Sequence, residues 1–245
     1  MKNSAFVRIY IVVSLVMVQM YAAQTFGAPK DAALQIEQDS AENPAQSASN
    51  SPAPGLLYAS DFASLAEGDF PPELKYRDGG MQIDNGQGEA MLRFAGGSWF
   101  HIPLAATLSD SFVIEFDYYT SELYAVLFVS PFDATVSGAE LPSFSGYRQG
   151  MFNFFTLANS TVGAAVDRAS ESLPRANAQN NAFTEGVVPV RLEVKGKQAK
   201  IFVDGSQVVI LPSATIHRTD VIEFFYASMG APGNGYVGNI RILGL

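Results

Sequence analysis

The stretch VVPVRLEVKGKQAKIFVDGSQVVIL, Val187–Leu211, decides the fold. Val188, Val190, Leu192 and Val194 alternate with Pro189, Arg191, Glu193 and Lys195. That period of two marks a strand with one buried and one wet face. Lys195-Gly196-Lys197-Gln198 supplies a turn, after which Ala199, Ile201 and Val203 resume the buried face. Asp204-Gly205 fits a tight hairpin, because glycine accepts the positive φ that such turns require. Val208 and Ile210 close a third strand, so the stretch reads as an antiparallel meander.

The pattern extends outward from the meander. In DSFVIEFDYYT, Asp110–Thr120, the residues Phe112, Ile114, Phe116 and Tyr118 share one face, and Val113, Glu115, Asp117 and Tyr119 the other. Tyr124–Val129 is almost continuously apolar and predicts a strand covered on both sides. Leu56–Phe62 reads as an edge strand. Short strands are expected at Lys75–Arg77, Met81–Ile83, Glu89–Phe94 and Ser98–Pro103, separated by the turn pairs Gly79-Gly80, Asn85-Gly86 and Gly96-Gly97. Tyr147–Leu157 and Val162–Arg168 are expected to pair, and Val221–Ala227 and Tyr236–Leu243 complete the set. Ser130–Gly146 and Ala169–Gly186 are read as long loops, of the length that is usually functional or disordered. No segment shows a helical period. The fold class is all-β, a two-sheet antiparallel jelly-roll β-sandwich.

Charge and composition narrow the function. The net charge is -9: Lys2 and Arg8 give the first 28 residues +2, residues 29–55 carry -3, and the rest carries -8 without a Lys/Arg cluster. Binding nucleic acid or an anionic membrane surface by counterion release needs a positive patch, so neither is an expected partner. The chain has no cysteine, which excludes thiolate metal sites, thiol catalysis and attachment of lipid through a cysteine. Export without disulfides fits a bacterial envelope protein. Residues 1–28 read as a secretory signal: Lys2 and Arg8, the apolar run Ile9–Met20, then small residues. That run is shorter than the ~20 residues needed to span a bilayer, so no membrane insertion is expected after cleavage. Residues 29–55, rich in Ala, Ser, Asn, Gln and Pro, read as a disordered linker, and 56–245 as one sandwich domain. The expected location is periplasmic, outer-envelope or secreted.

Three stretches carry a family resemblance: Asp61-Phe62 with Gly68 and Pro71 after it, FVIEFDYY (Phe112–Tyr119), and VRLEVKGKQAKIFVDGSQVV (Val190–Val209) with GYVGNIRIL (Gly235–Leu243). Together they resemble the concanavalin A-like lectin/glucanase jelly rolls, including laminin-G-like domains. More narrowly, the chain is similar to the lectin-like N-terminal domain of some bacterial envelope proteins that also carry a peptidoglycan-binding domain of the outer-membrane-protein-A type. The chain ends just after its last strand, so cell-wall anchoring is not expected to carry over. The resemblance concerns scaffold, and function does not follow from fold.

Glucanases of that superfamily carry carboxylates spaced E-x-D-x-x-E or E-x-D-x-E on one strand face, as retaining hydrolysis needs two of them about 5–5.5 Å apart. Glu115 and Asp117 supply the first two, but Tyr119 and Thr120 stand where the third should be. No catalytic residue is therefore expected. His101 and His217 have no partner at metal-ligand spacing, and no G-x-S-x-G elbow is present. No cofactor is expected beyond the structural calcium ion that the resemblance allows. Asp84-Asn85-Gly86, Asp133 and Asp204 offer oxygens for it, although Asp-Gly and Asn-Gly pairs are first of all turn formers.

Sugar recognition combines an aromatic platform with planar polar side chains. By alternation the outward candidates are Trp99, His101, Glu115, Asp117, Tyr119, Gln149 and Asn153. They form a polar-aromatic groove if their strands share the concave sheet; otherwise Trp99 caps an edge and the others are ordinary surface. The expected function is a non-catalytic lectin-like domain that binds a glycan or another envelope component. One alternative is a structural or protein-interaction module that uses the two long loops, with an envelope protein as partner. Another is a glycan-cleaving enzyme with a non-standard acid pair.

Overall fold

The computed structural model describes residues 55–122, 125–131, 151–156, 161–165, 175–179, 182–213, 216–228 and 233–245. The expected signal segment, the linker up to residue 54, Tyr124, Asp133, Gln149 and most of the first long loop lie outside them. Thirteen strands occur among the described residues: β1 Gly55–Ser60, β2 Lys75–Asp84, β3 Met91–Pro103, β4 Ser111–Thr120, β5 Ala125–Pro131, β6 Met151–Thr156, β7 Thr161–Ala165, β8 Arg175–Gln179, β9 Val188–Lys195, β10 Gln198–Val203, β11 Ser206–Leu211, β12 Val221–Ser228 and β13 Asn234–Gly244. Every pairing is antiparallel, in the order β11-β10-β9-β4-β13-β3-β12-β5-β6-β7-β8, with β1 added to β13 and β2 to β3. The order curls until β11 lies alongside β8 and β7, which closes a jelly-roll β-sandwich.

The meander forms as its alternation demands. β9 presents Val188, Val190, Leu192 and Val194 to the core, and β10 adds Ala199, Ile201 and Val203. Asp204 and Gly205 both take positive φ, 48° and 72°, which a two-residue turn of type I′ requires. The third strand departs from expectation. Its buried residues are Val209 and Leu211, opposite Ile201 and Ala199, while Ile210 is exposed. A bulge between Ile201 and Phe202 adds one residue to β11, and a shift of one exchanges the faces.

Two expected turns are also absent. Gly96-Gly97 lies within β3, which runs unbroken from Met91 to Pro103 and changes partner on the way. Its first half pairs with β13 and its second with β12. Gly79-Gly80 lies within β2, where two bulges let the strand follow the same bend. At Gly79, φ is +90°, and a Cβ would stand 2.1 Å from the Gly97 carbonyl oxygen. Paired glycines here permit close backbone approach rather than reversal. The expected loop Ala169–Gly186 likewise contains β8 and a 3-10 turn, Ala182–Thr184, that seats Phe183 against the Tyr118 ring at 5.3 Å.

Between the two halves of the sandwich lies a core built on phenylalanine. Phe100 stacks on Phe224 at 5.1 Å and 12°, Phe116 meets Phe224 edge-on, and Phe94 packs against Phe100 and Tyr226. Such pairs add about 0.5–1.5 kcal/mol each beyond the area they bury. A second, smaller cluster of Trp99, Val126, Phe128, Phe225 and Ala227 lies on the opposite face of β3, β12 and β5. Among described residues, β5 is buried from end to end, as its apolar run implied.

Phe116→Ala is expected to lower unfolding free energy by about 3–5 kcal/mol, and Gly79→Ala by about 2 kcal/mol or more, because both φ and space oppose a methyl there. Lys200→Ala should stay within about 0.5 kcal/mol. Urea titrations of the three variants check the order.

Candidate functional site

The sequence-predicted residues fall into two groups on the outer face of the sheet. Trp99 and His101 stand on the second half of β3, and Asn153 on β6 shares their half of the sandwich: the ladder sets Trp99 opposite Phe225, Phe225 opposite Phe128, and Phe128 opposite Asn153. Glu115, Asp117 and Tyr119 stand on β4, in the half formed with β13 and β9. No single groove joins the two groups among the described residues, and Gln149 lies outside them.

Trp99 and His101 are not an exposed platform. They are 3% and 5% exposed, beside Glu223 at 1%. The Trp99 indole Nε1 donates to Glu223 Oε2 at 2.8 Å, and His101 Nε2 lies 3.5 Å from the same oxygen. The Arg77 guanidinium stands 5.0 Å above the indole ring. Alternation correctly placed both side chains outward, but it says which face a residue is on and not whether that face is covered. The indole N–H and Glu223 Oε2 satisfy one another, as buried polar groups must.

The three β4 residues have distinct surroundings. Glu115 forms an ion pair with Arg191, which also reaches Glu193 at 3.4 Å. Lys195 Nζ, 2.9 Å from Glu193, is the main reason the Glu193 carboxyl is held below its ordinary range, with Arg191 assisting. Asp117 Oδ2 accepts from the Asn239 carboxamide at 2.6 Å, and the same nitrogen donates to Glu89 Oε2 at 3.0 Å. Asn239 takes φ +48° where β13 bulges between Gly238 and Arg241, a conformation asparagine tolerates better than most residues. Tyr119 packs against Tyr236 with ring centroids 5.5 Å apart.

Tyr119 begins a row that the sequence did not reveal. Register places Tyr119 opposite Tyr236, Tyr236 opposite Arg93, and Arg93 opposite Gln82, crossing β4, β13, β3 and β2. Directly opposite side chains on one face are near neighbours, so the row is continuous. Burial, then the nearby Asp84, pushes the Tyr236 hydroxyl above its ordinary value, and Arg93 counters. At its β2 end the row meets an open groove of about 440 Å³, lined by Phe70, Tyr76, Gly80, Gln82, Arg93 and Ala95 among others. Tyr76 is 55% exposed yet fixed. Its hydroxyl donates to the Gly79 carbonyl at 2.9 Å, and its ring meets Phe70 edge-on at 5.9 Å. Both Tyr76 and Arg93 were read only as strand positions, since nothing local in the sequence distinguishes them from other surface residues.

The oxygens considered for calcium are otherwise engaged where described. Asp84 Oδ1 accepts from Gly86 N at 2.7 Å and its Oδ2 faces Arg93 at 3.5 Å, while Asp204 forms the hairpin turn. No cluster of three or more His, Cys, Asp or Glu occurs among the described residues.

No family model and no curated protein matches the chain. Solved structures do match. The catalytic domain of an endo-1,3-β-glucanase (laminarinase) from Thermotoga petrophila superposes with a TM-score of 0.54 at 10% identity, over 78% of this chain and 97% of that one. The carbohydrate recognition domain of Emp47p gives 0.54 at 11%, over 76% and 95%. A sialidase gives 0.51 at 10%, where 76% of this chain matches only 18% of the longer protein. The fold is a jelly-roll β-sandwich. It is shared by a binding domain and a catalytic one, so the residues must decide the function.

Trp99→Phe is expected to lower stability by about 1–3 kcal/mol by removing the donor to a buried carboxyl. Because Trp99 is the single tryptophan, its emission should be that of a buried indole and should shift only on unfolding.

Proposed function

We propose that this chain is a lectin-like recognition module that binds a glycan, exported to the bacterial envelope or beyond. The observation that carries the reading is the row Tyr119–Tyr236–Arg93–Gln82 and the groove at its end. The half-buried Tyr119 ring, with the buried Tyr236 packed beside it, offers an apolar face to a sugar ring, and the planar side chains of arginine and glutamine satisfy hydroxyls in defined directions. Tyr76 adds a ring held in place before any ligand arrives, so little rotamer freedom is lost on binding. The fold shared with a carbohydrate recognition domain is consistent with the reading. The location follows from the amino-terminal pattern alone.

Hydrolysis is the second reading, favoured by one observation. Asn239 donates to both Asp117 and Glu89, so their oxygens are no farther apart than the two hydrogen bonds laid end to end. That is comparable with the about 5–5.5 Å of a retaining pair. Both carboxylates, however, lie outside the groove, Glu89 exposed and Asp117 half-buried.

Glycan-array screening followed by calorimetry tests the two together. The expected result is binding without cleavage, weakened about tenfold or more by Tyr76→Ala and left unchanged by Asp117→Asn. Absence of binding at millimolar oligosaccharide would sink the recognition reading. Reducing ends released from a β-glucan, and lost in both Glu89→Gln and Asp117→Asn, would establish the hydrolytic one.

A further inference from the structure

Among the described residues that line the groove, Arg93 is the one that carries a charge. Asp84 faces it at Nε only, at 3.5 Å, and Asp84 is itself held by the turn through Gly86 N. Neither terminal nitrogen of Arg93 has a protein hydrogen-bond partner among the described residues, and the side chain is 31% exposed. The guanidinium thus faces Asp84 by one edge, and among the described residues nothing occupies its two-nitrogen end. Such a fork matches a carboxylate bidentately, with short charge-assisted bonds. A hydroxyl group can use only one arm of it at a time.

The wall beside Arg93 is formed by Tyr76, fixed by its bond to the Gly79 carbonyl and by Phe70. Gly79 permits that wall, because any side chain there would collide with Gly97 and Ser98. A pyranose ring with a carboxylate at its edge therefore finds both its partners in one groove: a ring face to stack on and a fork to grip. Asp84 faces the Nε edge of the guanidinium and not its two-nitrogen end.

We infer that the groove between Tyr76 and Arg93 binds an acidic saccharide, with its carboxylate on the terminal nitrogens of Arg93 and its ring against Tyr76. The inference rests on the glycan-binding reading and names the ligand class for that site. It concerns the β2–β3 hairpin, away from the β4 residues that the alternation singled out. The net charge of -9 means that general attraction does not bring such a ligand in, so the contact must be local and stereospecific.

The test is calorimetry of the full chain against a panel of acidic oligosaccharides, namely oligogalacturonate, hyaluronan fragments and sialyllactose, each paired with its methyl ester. The expected result is that at least one acid binds and that its ester, of nearly the same shape but uncharged, binds about tenfold or more weakly. Arg93→Gln should abolish the difference between acid and ester, and Arg93→Lys should restore part of it, because charge returns without the fork. Tyr76→Phe should bind moderately more weakly, because the ring stays but its bond to the Gly79 carbonyl is lost, and Tyr76→Ala poorly. Thermal melting of each variant confirms that it is folded. Equal binding of acid and ester, or a preference untouched by Arg93→Gln, overturns the inference while the glycan reading stands. If no member of the panel binds but a neutral oligosaccharide does, the inference likewise falls alone. If neither acidic nor neutral sugars bind, both readings fall.

Discussion

Everything in this molecule depends on how one strand, β3, crosses from one half of the sandwich to the other. A flat antiparallel sheet of eleven strands in sequence would leave both faces open and bury little. β3 avoids this by pairing with β13 over its first half and β12 over its second, bending between them at Gly96-Gly97. β2 follows the bend by bulging twice, and Gly79 lies so close to Gly97 that no Cβ fits. With that corner in place the two halves face each other, and the phenylalanine stack through Phe94, Phe100, Phe224 and Phe116 fills the space between them.

The same corner shapes the groove between β2 and β3. Because β3 bends, the outward residues of its two halves have different fates. Arg93, before the bend, remains accessible beside the groove, whereas Trp99 and His101, after it, are buried with Glu223. The bulges that accommodate the bend bring Tyr76 close to the Gly79 carbonyl that fixes it. The bulges of β2 and the fixed position of the Tyr76 ring have one origin, the need for β2 to follow β3 around a corner. Surface charge elsewhere is mostly internally satisfied: Glu115 by Arg191, Glu193 by Lys195, Asp117 by Asn239.

Much of the scaffold was legible because period-two patterns survive in any sequence whose strands have one covered face. The buried faces of β4, β9 and β10 follow directly from it. Errors arose where the backbone departs from regular pleating. Ile210 was expected to close the third strand, but a bulge adds one residue and leaves it exposed while Val208 packs half-buried against the core, and Gly79-Gly80 and Gly96-Gly97 were read as reversals because glycine pairs usually are. For the candidate site, alternation placed Glu115, Asp117 and Tyr119 correctly on one outward face, and Trp99 and His101 on another stretch of it. It could not show that the second stretch is covered.

The sequence by itself determined the all-β class, the jelly-roll resemblance, the core-facing residues of β4, β9 and β10 and the net charge of -9, since each depends on local periodicity or on summed charge. Only the tertiary structure decided which outward residues meet. Glu89 reaches Asn239, Trp99 reaches Glu223, and Tyr236 joins Tyr119 to Arg93, all across separations of more than a hundred residues. The physical reason is that such meetings are set by strand order and register. Those are fixed by the closure of the whole sandwich around its corner at β3, and no stretch of the chain records that closure alone.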